Sequence, residues 1–209
     1  MQVVPAVLTE KKDDLKTMVN GAETYTNYIQ IDIMDGIFVP SKSITARELH
    51  ELNSSINWEM HLMIQDPEKT INEFIQKPVR QIIFHIEATN CVSTLFDILE
   101  KASIRKGLAI NPDSDISLLE PFLKTVDAVL FLTVYPGFYG RPMVPHVLQK
   151  AKQFKRDNPH LSVGVDGGIK EDNLHKISET GVDFVCVGSA IFKSDNPAES
   201  FKRMQKKVQ

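Results

Sequence analysis

Short apolar runs alternate with amphipathic segments along the whole chain, and this alternation restricts the fold more than any other feature. Eight runs rich in Val, Ile and Phe recur, namely VVPAVL, YIQIDIM, WEMHLMI, QIIFHIEA, KGLAIN, AVLFLTVY, LSVGVD and FVCVGSAIF. Segments with helical spacing lie between and after them, at residues 10–22, 66–77, 91–102, 116–126, 145–157, 170–181 and 197–208. Alternation of this kind predicts parallel strands joined by right-handed crossovers.

The segment after the first run distinguishes an open sheet from a closed barrel. An open doubly wound sheet predicts a glycine-rich nucleotide-binding turn there, whereas the chain reads PAVLTEKKDD. Division of 209 residues among eight strand-helix units allows roughly 25 residues per unit, which suits a compact barrel. The sequence therefore predicts an α/β fold, a (β/α)8 TIM barrel with a closed, parallel, eight-stranded sheet. We expect one such domain over residues 1–209.

Composition argues against several classes of protein. Hydrophobic residues make up 42% of the chain, which is enough to bury a full core. The net charge of −3 provides no general attraction to nucleic acid, and the apolar runs are shorter than the roughly 20 residues that cross a bilayer. Two cysteines, Cys91 and Cys186, do not indicate a disulfide scaffold, and MQVVPAVL does not resemble a signal peptide. We expect a cytoplasmic protein that binds neither nucleic acid nor membranes.

Alternation within the runs predicts which side chains point into the barrel. In YIQIDIM the isoleucines share one face, so Gln30, Asp32 and Met34 share the other. The same rule directs further polar side chains inward, namely Glu59, His61, His85, Glu87 and Asp166. Buried ionisable groups are costly unless they are paired, hydrogen-bonded or bound to metal. Their accumulation near the downstream ends of the strands predicts an active site there.

Four of these inward-facing residues could surround a metal ion. Gln30, Asp32, His61 and Asp166 offer one amide oxygen, two carboxylates and one imidazole, a set that suits one divalent cation such as zinc, iron, manganese or cobalt. Such a cation would stabilise an enediolate, while one aspartate removes a proton and the other returns one from the opposite face. Taken singly, Asp32 could be a structural salt-bridge residue and His61 a core histidine. Their joint position at the ends of strands two, three and seven favours catalysis.

Glycines follow the last three apolar runs, in YPGFYGR, VDGG and VGSAIF. Their backbone N–H groups could bind a phosphate, and barrels of this type commonly bind phosphate at the loops after strands seven and eight. Each glycine could instead serve only as a turn former. Gly137 and Gly140 could also let the loop after strand six close over a substrate, with Phe138 and Tyr139 excluding water.

At these residues the sequence resembles the ribulose-phosphate 3-epimerase family. The similar segments stand in the family's order: IDIMDGIFVP, EMHLMI, FHIEAT, GLAINP, VYPGFYGR, VDGGI and VGSAIF. The resemblance implies a homo-oligomeric, metal-dependent enzyme that interconverts ribulose 5-phosphate and xylulose 5-phosphate. It implies that Asp32 and Asp166 are the acid/base pair and metal ligands, and that His61 is a further ligand that also contacts substrate. It implies that Met34 and Met63 form part of an apolar wall. It also implies that the phosphate is bound by Gly140, Gly167, Gly168, Gly188 and Ser189.

Several positions depart from the family's pattern. Gln30 stands where the family usually has histidine, which predicts weaker metal affinity or a preference for a harder metal. Ala6 stands where the family usually has a serine near the substrate, and Leu132 replaces a common methionine. Tyr139 and Arg141 replace glycine and glutamine, which adds bulk and positive charge beside the expected phosphate.

These departures leave alternative functions open. An epimerase acting on another ketose phosphate would use the same two aspartates. Because Gln30 and Ala6 alter the metal and substrate sides of the site, a catalytically weakened or inactive sugar-phosphate-binding protein is a further alternative. A decarboxylase on the same scaffold is disfavoured, since the chain lacks the Asp-x-Lys-x-x-Asp pattern that related phosphosugar decarboxylases carry.

Overall fold

The computed structural model describes residues 1–76, 78–137 and 143–209. Eight parallel strands pair in chain order, and the eighth pairs with the first, so the sheet closes into a barrel. The strands are Gln2–Val7 (β1), Tyr28–Met34 (β2), Asn57–Met63 (β3), Val79–His85 (β4), Arg105–Ile110 (β5), Ala128–Leu132 (β6), Ser162–Asp166 (β7) and Phe184–Val187 (β8). The predicted (β/α)8 TIM barrel is confirmed.

Helices surround the barrel between and after the strands. They are Lys12–Ala22 (α1), Ala46–His50 (α2), Val92–Lys101 (α3), Pro145–Asp157 (α4), Leu174–Ser178 (α5), Ser189–Phe192 (α6) and Pro197–Lys207 (α7). Within the described residues, no helix combines the length and the apolar character that a membrane span requires.

Two segments predicted to be α-helical form 3-10 turns instead. The segment predicted over 66–77 forms turns at Pro67–Lys69 and Ile71–Phe74, because Thr70 leaves the helical region with φ −129° and ψ −8°. The segment predicted over 116–126 is a 3-10 helix at Ile116–Phe122. Pro121 lies inside it and can neither donate an N–H nor accommodate the carbonyl of an α-helical turn. Both α-helix predictions were wrong, and Lys77 lies outside the described residues.

The alternation of side chains in β2 follows the predicted pattern. Ile29, Ile31 and Ile33 are buried in the main hydrophobic core between the strands and the surrounding helices. Gln30 and Asp32 point to the barrel interior, where Gln30 pairs in register with Ala6 on β1 and with Glu59 on β3. A second apolar cluster fills the interior below the mouth with Val4, Ala6, Ile83, Ala109, Leu130, Leu132, Phe184 and Cys186.

Gly107 on β5 and Gly164 on β7 leave no room for a Cβ, and at Gly107 the Cβ would lie 2.4 Å from Ile83 Cγ1. A Cβ at Gly164 on β7 would lie 2.3 Å from the Phe184 ring of the neighbouring strand. The ring therefore occupies the volume that a side chain on β7 would otherwise fill. Asp166 lies two residues further along the same inward face, beyond the second apolar cluster that contains Phe184.

Candidate active site

Three ionisable side chains meet near the carboxyl ends of β2, β3 and β7. Asp32 and His61 are register partners on neighbouring strands, and His61 Nδ1 lies 3.0 Å from Asp32 Oδ1. Asp166 approaches from β7, with its Oδ2 3.6 Å from the same histidine nitrogen. The side chains of Asp32 and Asp166 are 10% and 14% exposed, whereas that of His61 is fully buried. Both carboxylates can therefore reach a molecule at the barrel mouth, with the imidazole behind them.

Loop residues hold the backbone at both aspartates. The Ser43 hydroxyl donates to the Asp32 carbonyl oxygen at 3.0 Å and accepts from the Met34 N–H at 2.9 Å. The Thr133 hydroxyl donates to the Asp166 carbonyl oxygen at 2.9 Å, and the Thr133 N–H donates to the same oxygen at 2.7 Å. These bonds connect the end of β2 to the following loop and the end of β6 to β7, so each catalytic candidate stands on a constrained backbone.

Gln30 joins the two aspartates as a hydrogen-bond donor. Its Nε2 lies 2.9 Å from Asp32 Oδ1 and 3.2 Å from Asp166 Oδ2. Its Oε1 accepts a hydrogen bond from the Cys186 thiol at 3.0 Å. Burial raises the pKa of the Cys186 thiol, so the thiol keeps its proton and can donate a hydrogen bond to the amide oxygen. Gln30 thus lies beside both aspartates with its amide oxygen directed to Cys186, and its role as an oxygen ligand of a cation stays a prediction.

The two aspartates differ in their environment. Burial, followed by the nearby charge of Asp32, raises the pKa of Asp166 to about 7. Asp32 Oδ1 accepts hydrogen bonds from both Gln30 and His61. Burial opposes the charged form of His61, yet the hydrogen bond to Asp32 and the charges of Asp32 and Asp166 leave its pKa raised overall. A carboxyl group that exchanges its proton near neutral pH, as Asp166 does, is suited to general acid–base catalysis.

The donor atoms fit a divalent cation with three protein ligands. One ligand atom from each of Asp32, His61 and Asp166 lies within 4.8 Å of the others. Catalytic metal sites commonly use three protein ligands and keep a further position for substrate or water. Two carboxylates and one imidazole also match the mixed oxygen and nitrogen ligands that first-row divalent cations accept. The three residues therefore fit such a cation, with Gln30 adjacent to them as a donor.

The aspartates open into a pocket whose walls are partly apolar. Met34 and Met63 line it beside Asp32 and belong to a small apolar cluster with Val39. After β7 and β8 the pocket is lined by Gly167, Gly168, Gly188 and Ser189, and after β6 by Gly137. Those predicted phosphate and loop positions thus share one pocket with both aspartates, whereas Gly140, Phe138, Tyr139 and Arg141 lie outside the described residues. Ala6 and Leu132, two departures from the expected pattern, line the same pocket.

Glu59 faces inward, as alternation predicts, but lies outside the site. It precedes His61 by two residues toward the amino end of β3, and its Oε2 accepts from Tyr28 Oη at 3.1 Å and from Gln81 Nε2 at 2.8 Å. Burial raises the pKa of Glu59 to about 7. The expectation that all inward ionisable groups gather near the downstream strand ends was therefore wrong for Glu59, which belongs to a polar layer at the opposite end of the barrel.

Sequence reasoning assigned no role to three residues that contact the site. Cys186 contacts Gln30, and His85 Nε2 lies 3.1 Å from His61 Nε2. Ser43 supports the backbone at Asp32. Alternation in FVCV and in QIIFHIEA predicts that Cys186 and His85 point inward, but the partner that each one meets on another strand depends on register. Ser43 lies in the loop between β2 and α2, whose path has no periodic signal in the sequence.

Comparison with known proteins identifies similar sequences over most of the chain. Residues 2–192 match the model of the ribulose-phosphate 3 epimerase family. A ribulose-phosphate 3-epimerase of Chlamydia pneumoniae is 32% identical over 181 residues, which cover 83% of this chain and 79% of that protein. The corresponding protein of Mycobacterium bovis is 31% identical over 219 residues, with 99% of this chain and 92% of the relative covered.

Solved structures with low sequence identity share the fold. A 3-keto-L-gulonate-6-phosphate decarboxylase from Vibrio cholerae superposes with a TM-score of 0.77 at 8% identity, over 99% of this chain and 96% of the other. A 3-hexulose-6-phosphate synthase from Salmonella typhimurium gives a TM-score of 0.73 at 12% identity, over 100% and 98% of the two chains. At these identities the similarity concerns the barrel architecture alone.

Proposed function

The chain belongs to the ribulose-phosphate 3-epimerase family, and on this premise we propose that it interconverts ribulose 5-phosphate and xylulose 5-phosphate. Family membership makes it an epimerase, an isomerase of carbohydrate metabolism. One observation carries the finer proposal: Asp32 and Asp166 both contact the Gln30 amide and both line one pocket. Two carboxyl groups on either side of one substrate carbon suit inversion at that carbon.

The reaction we propose proceeds by two proton transfers at C3. One aspartate removes the proton from C3 of the ketose phosphate, and the electron pair moves into the C2–C3 bond, forming an enediolate. The other aspartate delivers a proton to the opposite face of C3, and the C2 carbonyl is restored. Both carboxyl groups then exchange protons with solvent before the next turnover. General acid and base groups of this kind typically accelerate a reaction about 10²- to 10⁴-fold each.

A metal would complete the charge balance of the site. Asp32, His61 and Asp166 would hold the divalent cation, which would supply electrostatic stabilisation for the negative charge on the enediolate oxygens. Met34 and Met63 would exclude water from the enediolate, since both line the pocket beside Asp32. The Gln30 amide would keep the aspartates oriented through its two hydrogen bonds.

Phosphate binding belongs to the opposite wall of the pocket. Gly167, Gly168, Gly188 and Ser189, which follow β7 and β8, line that wall. Gly167 and Gly168 adopt positive φ values of 111° and 62°, a backbone conformation that glycine adopts readily and that places backbone N–H groups in a compact turn at the pocket. We propose that these backbone groups bind the phosphate of the substrate and thereby position C3 between the aspartates.

A binding protein without catalysis is the second candidate. Ala6 lines the pocket without a hydroxyl, and the Gln30 oxygen points to Cys186. One assay distinguishes the two candidate functions. Protein loaded separately with zinc, manganese, iron or cobalt is supplied with ribulose 5-phosphate, and formation of xylulose 5-phosphate is followed. Turnover supports the epimerase, whereas saturable binding without turnover in all four samples supports the binding protein. A six-carbon ketose phosphate in parallel tests the alternative substrate.

A further inference from the structure

A second imidazole and a carboxylate lie directly behind His61. His85 Nε2 is 3.1 Å from His61 Nε2, and the two rings stack with centroids 5.2 Å apart. On its other side His85 Nδ1 lies 3.3 Å from Glu87 Oε2. Glu87 Oε1 accepts the Asn111 backbone N–H at 2.8 Å. Together these contacts form a continuous hydrogen-bond chain from the loop after β5 to the aspartates. Both histidines in it are fully buried.

The donor and acceptor properties of these groups determine which nitrogen donates in each contact of the hydrogen-bond chain. A carboxylate only accepts hydrogen bonds, so the Glu87 contact requires a proton on His85 Nδ1. Two imidazole nitrogens in hydrogen-bond contact share one proton, and a neutral His85 that is protonated at Nδ1 has a lone pair at Nε2. The proton between the rings therefore belongs to His61 Nε2. His61 Nδ1 faces Asp32 and Asp166, which lie 3.0 and 3.6 Å away, and it would release the proton that it donates to Asp32 when it ligates a cation.

We propose that His85 and Glu87 are positioning residues that hold His61 in the orientation and tautomer in which Nδ1 can ligate a divalent cation. The proposal rests on the function proposed above, because only a cation between the aspartates makes the tautomer of His61 matter. The Phe38 ring, with its centroid 4.9 Å from that of His85, packs against His85 and limits its rotation. Partners of this kind orient metal-ligating histidines, and their loss commonly lowers metal affinity about 10- to 100-fold.

Glu87→Gln tests the direction of donation in this hydrogen-bond chain. Glutamine has one oxygen in place of two, so it can accept from the Asn111 N–H or from His85 Nδ1, but not from both in the present geometry. If its oxygen stays with Asn111, its amide nitrogen faces His85 and favours the opposite tautomer. His85 Nε2 then donates to His61 Nε2, which places the proton of a neutral His61 on Nδ1. Glu100→Gln, which removes an exposed carboxylate paired with Lys106, serves as the matched control.

The measurements are the histidine tautomers and the affinity for zinc alone. In zinc-loaded wild-type protein, 15N NMR of labelled imidazoles is expected to show His85 protonated at Nδ1 and His61 protonated at Nε2. Glu87→Gln is expected to weaken zinc binding about 10- to 100-fold against a competing chelator, with Glu100→Gln unchanged. His85 protonated at Nε2 in the wild-type protein overturns the proposal without any variant. An unchanged zinc affinity in folded Glu87→Gln whose 15N NMR shows His85 protonated at Nε2 also overturns it.

An epimerisation assay on the same samples separates this proposal from the proposed function. If the wild-type protein fails to epimerise but its tautomers and zinc affinities follow the expectation, the positioning role stands and the proposed substrate or reaction fails. If the wild-type protein epimerises but its His85 tautomer is opposite to that expected, the reaction stands and the positioning role fails.

Discussion

The Cys186 thiol donates a hydrogen bond to Gln30 Oε1 at 3.0 Å. This contact joins β8 to β2 across β1 and determines which end of the amide meets the aspartates. Because the oxygen is engaged, Nε2 lies toward Asp32 and Asp166. A residue that sequence comparison suggests as a weak ligand is, in this arrangement, a neutral donor between two carboxyl groups.

Removal of the thiol donor should reduce turnover. Cys186→Val keeps a similar shape but leaves Gln30 Oε1 without a donor, whereas Cys186→Ser keeps a donor. A hydrogen bond of this type contributes about 1 kcal/mol, so we expect kcat/KM to fall about fivefold in the valine variant. The serine variant should stay close to wild type. Equal activity of the two variants in steady-state kinetics would show that the amide orientation does not depend on Cys186.

Replacement of Gln30 should change cation affinity. Gln30→His offers an imidazole nitrogen beside Asp32 and Asp166, so we expect divalent binding to tighten about tenfold, equivalent to about 1.4 kcal/mol. Gln30→Ala is the control, since it removes the donor and adds no ligand. The dissociation constants of zinc and manganese are measured by competition with a chelator. Affinity in the histidine variant no tighter than in the alanine variant would contradict a position for residue 30 at the cation.

Asp166→Asn should separate binding from chemistry. The amide retains the size of the side chain but cannot take or deliver the proton at C3. We expect turnover to fall at least about 10²-fold, with inorganic phosphate and substrate bound nearly as well as by wild type. Kinetics and equilibrium binding are compared on the same preparation. Equal losses of binding and turnover would assign Asp166 to substrate binding instead.

Glu59 should make stability depend on pH. Burial raises its pKa from 4.5 to about 7, so folding favours its neutral form. The favourable contribution of Glu59 to the free energy of unfolding is complete below pH 4.5 and is lost as the pH rises through about 7. The loss is on the order of 3 kcal/mol, from 1.36 kcal/mol per pKa unit.

Glu59→Gln tests this dependence. The variant has no titrating carboxyl, so its free energy of unfolding relative to wild type should increase as the pH rises from 5 to 8. The exposed Glu120→Gln should run parallel to wild type. Urea unfolding across this range measures the difference in free energy of unfolding between the variant and wild type. Asp166 titrates in both proteins, so its contribution cancels from this difference. A constant difference between Glu59→Gln and wild type would mean that Glu59 titrates alike in the folded and unfolded chain.

Two glycines should respond oppositely to alanine. In Gly164→Ala the new Cβ would lie 2.3 Å from the Phe184 ring, and such overpacking typically costs about 1–3 kcal/mol. In Gly21→Ala no atom lies within 4 Å of the new Cβ, and the helix α1 should gain about 0.5–1 kcal/mol. Chemical unfolding of both variants compares the two effects. A neutral Gly164→Ala would show that Phe184 can leave its position in the barrel.

The sequence was sufficient to predict the barrel because its signals are periodic. Alternation in β2 correctly separated Ile31, which packs under the helices, from Asp32, which faces the mouth. The same signal directed His61 and Asp166 inward, and closure of the barrel brought them to Asp32. Expectations of one domain, a homo-oligomer and a cytoplasmic location stay predictions.

Other features depend on contacts that periodicity does not encode. The direction of the Gln30 amide depends on Cys186, which lies 156 residues away in sequence. The level of Glu59 within the barrel depends on where β3 starts, which alternation cannot determine. The 3-10 geometry near Pro121 arises because an apolar pattern suited to a helix coincides with a residue that breaks one.

Solvent exchange at C3 tests the central claim most directly. Wild-type protein loaded with a divalent cation is incubated with ribulose 5-phosphate in D₂O, and the products are examined by NMR. Two-aspartate proton transfer predicts xylulose 5-phosphate that carries deuterium at C3, because both carboxyl groups exchange with solvent between turnovers. Xylulose 5-phosphate formed with its original hydrogen at C3, or no xylulose 5-phosphate with any of the four cations, would contradict the account.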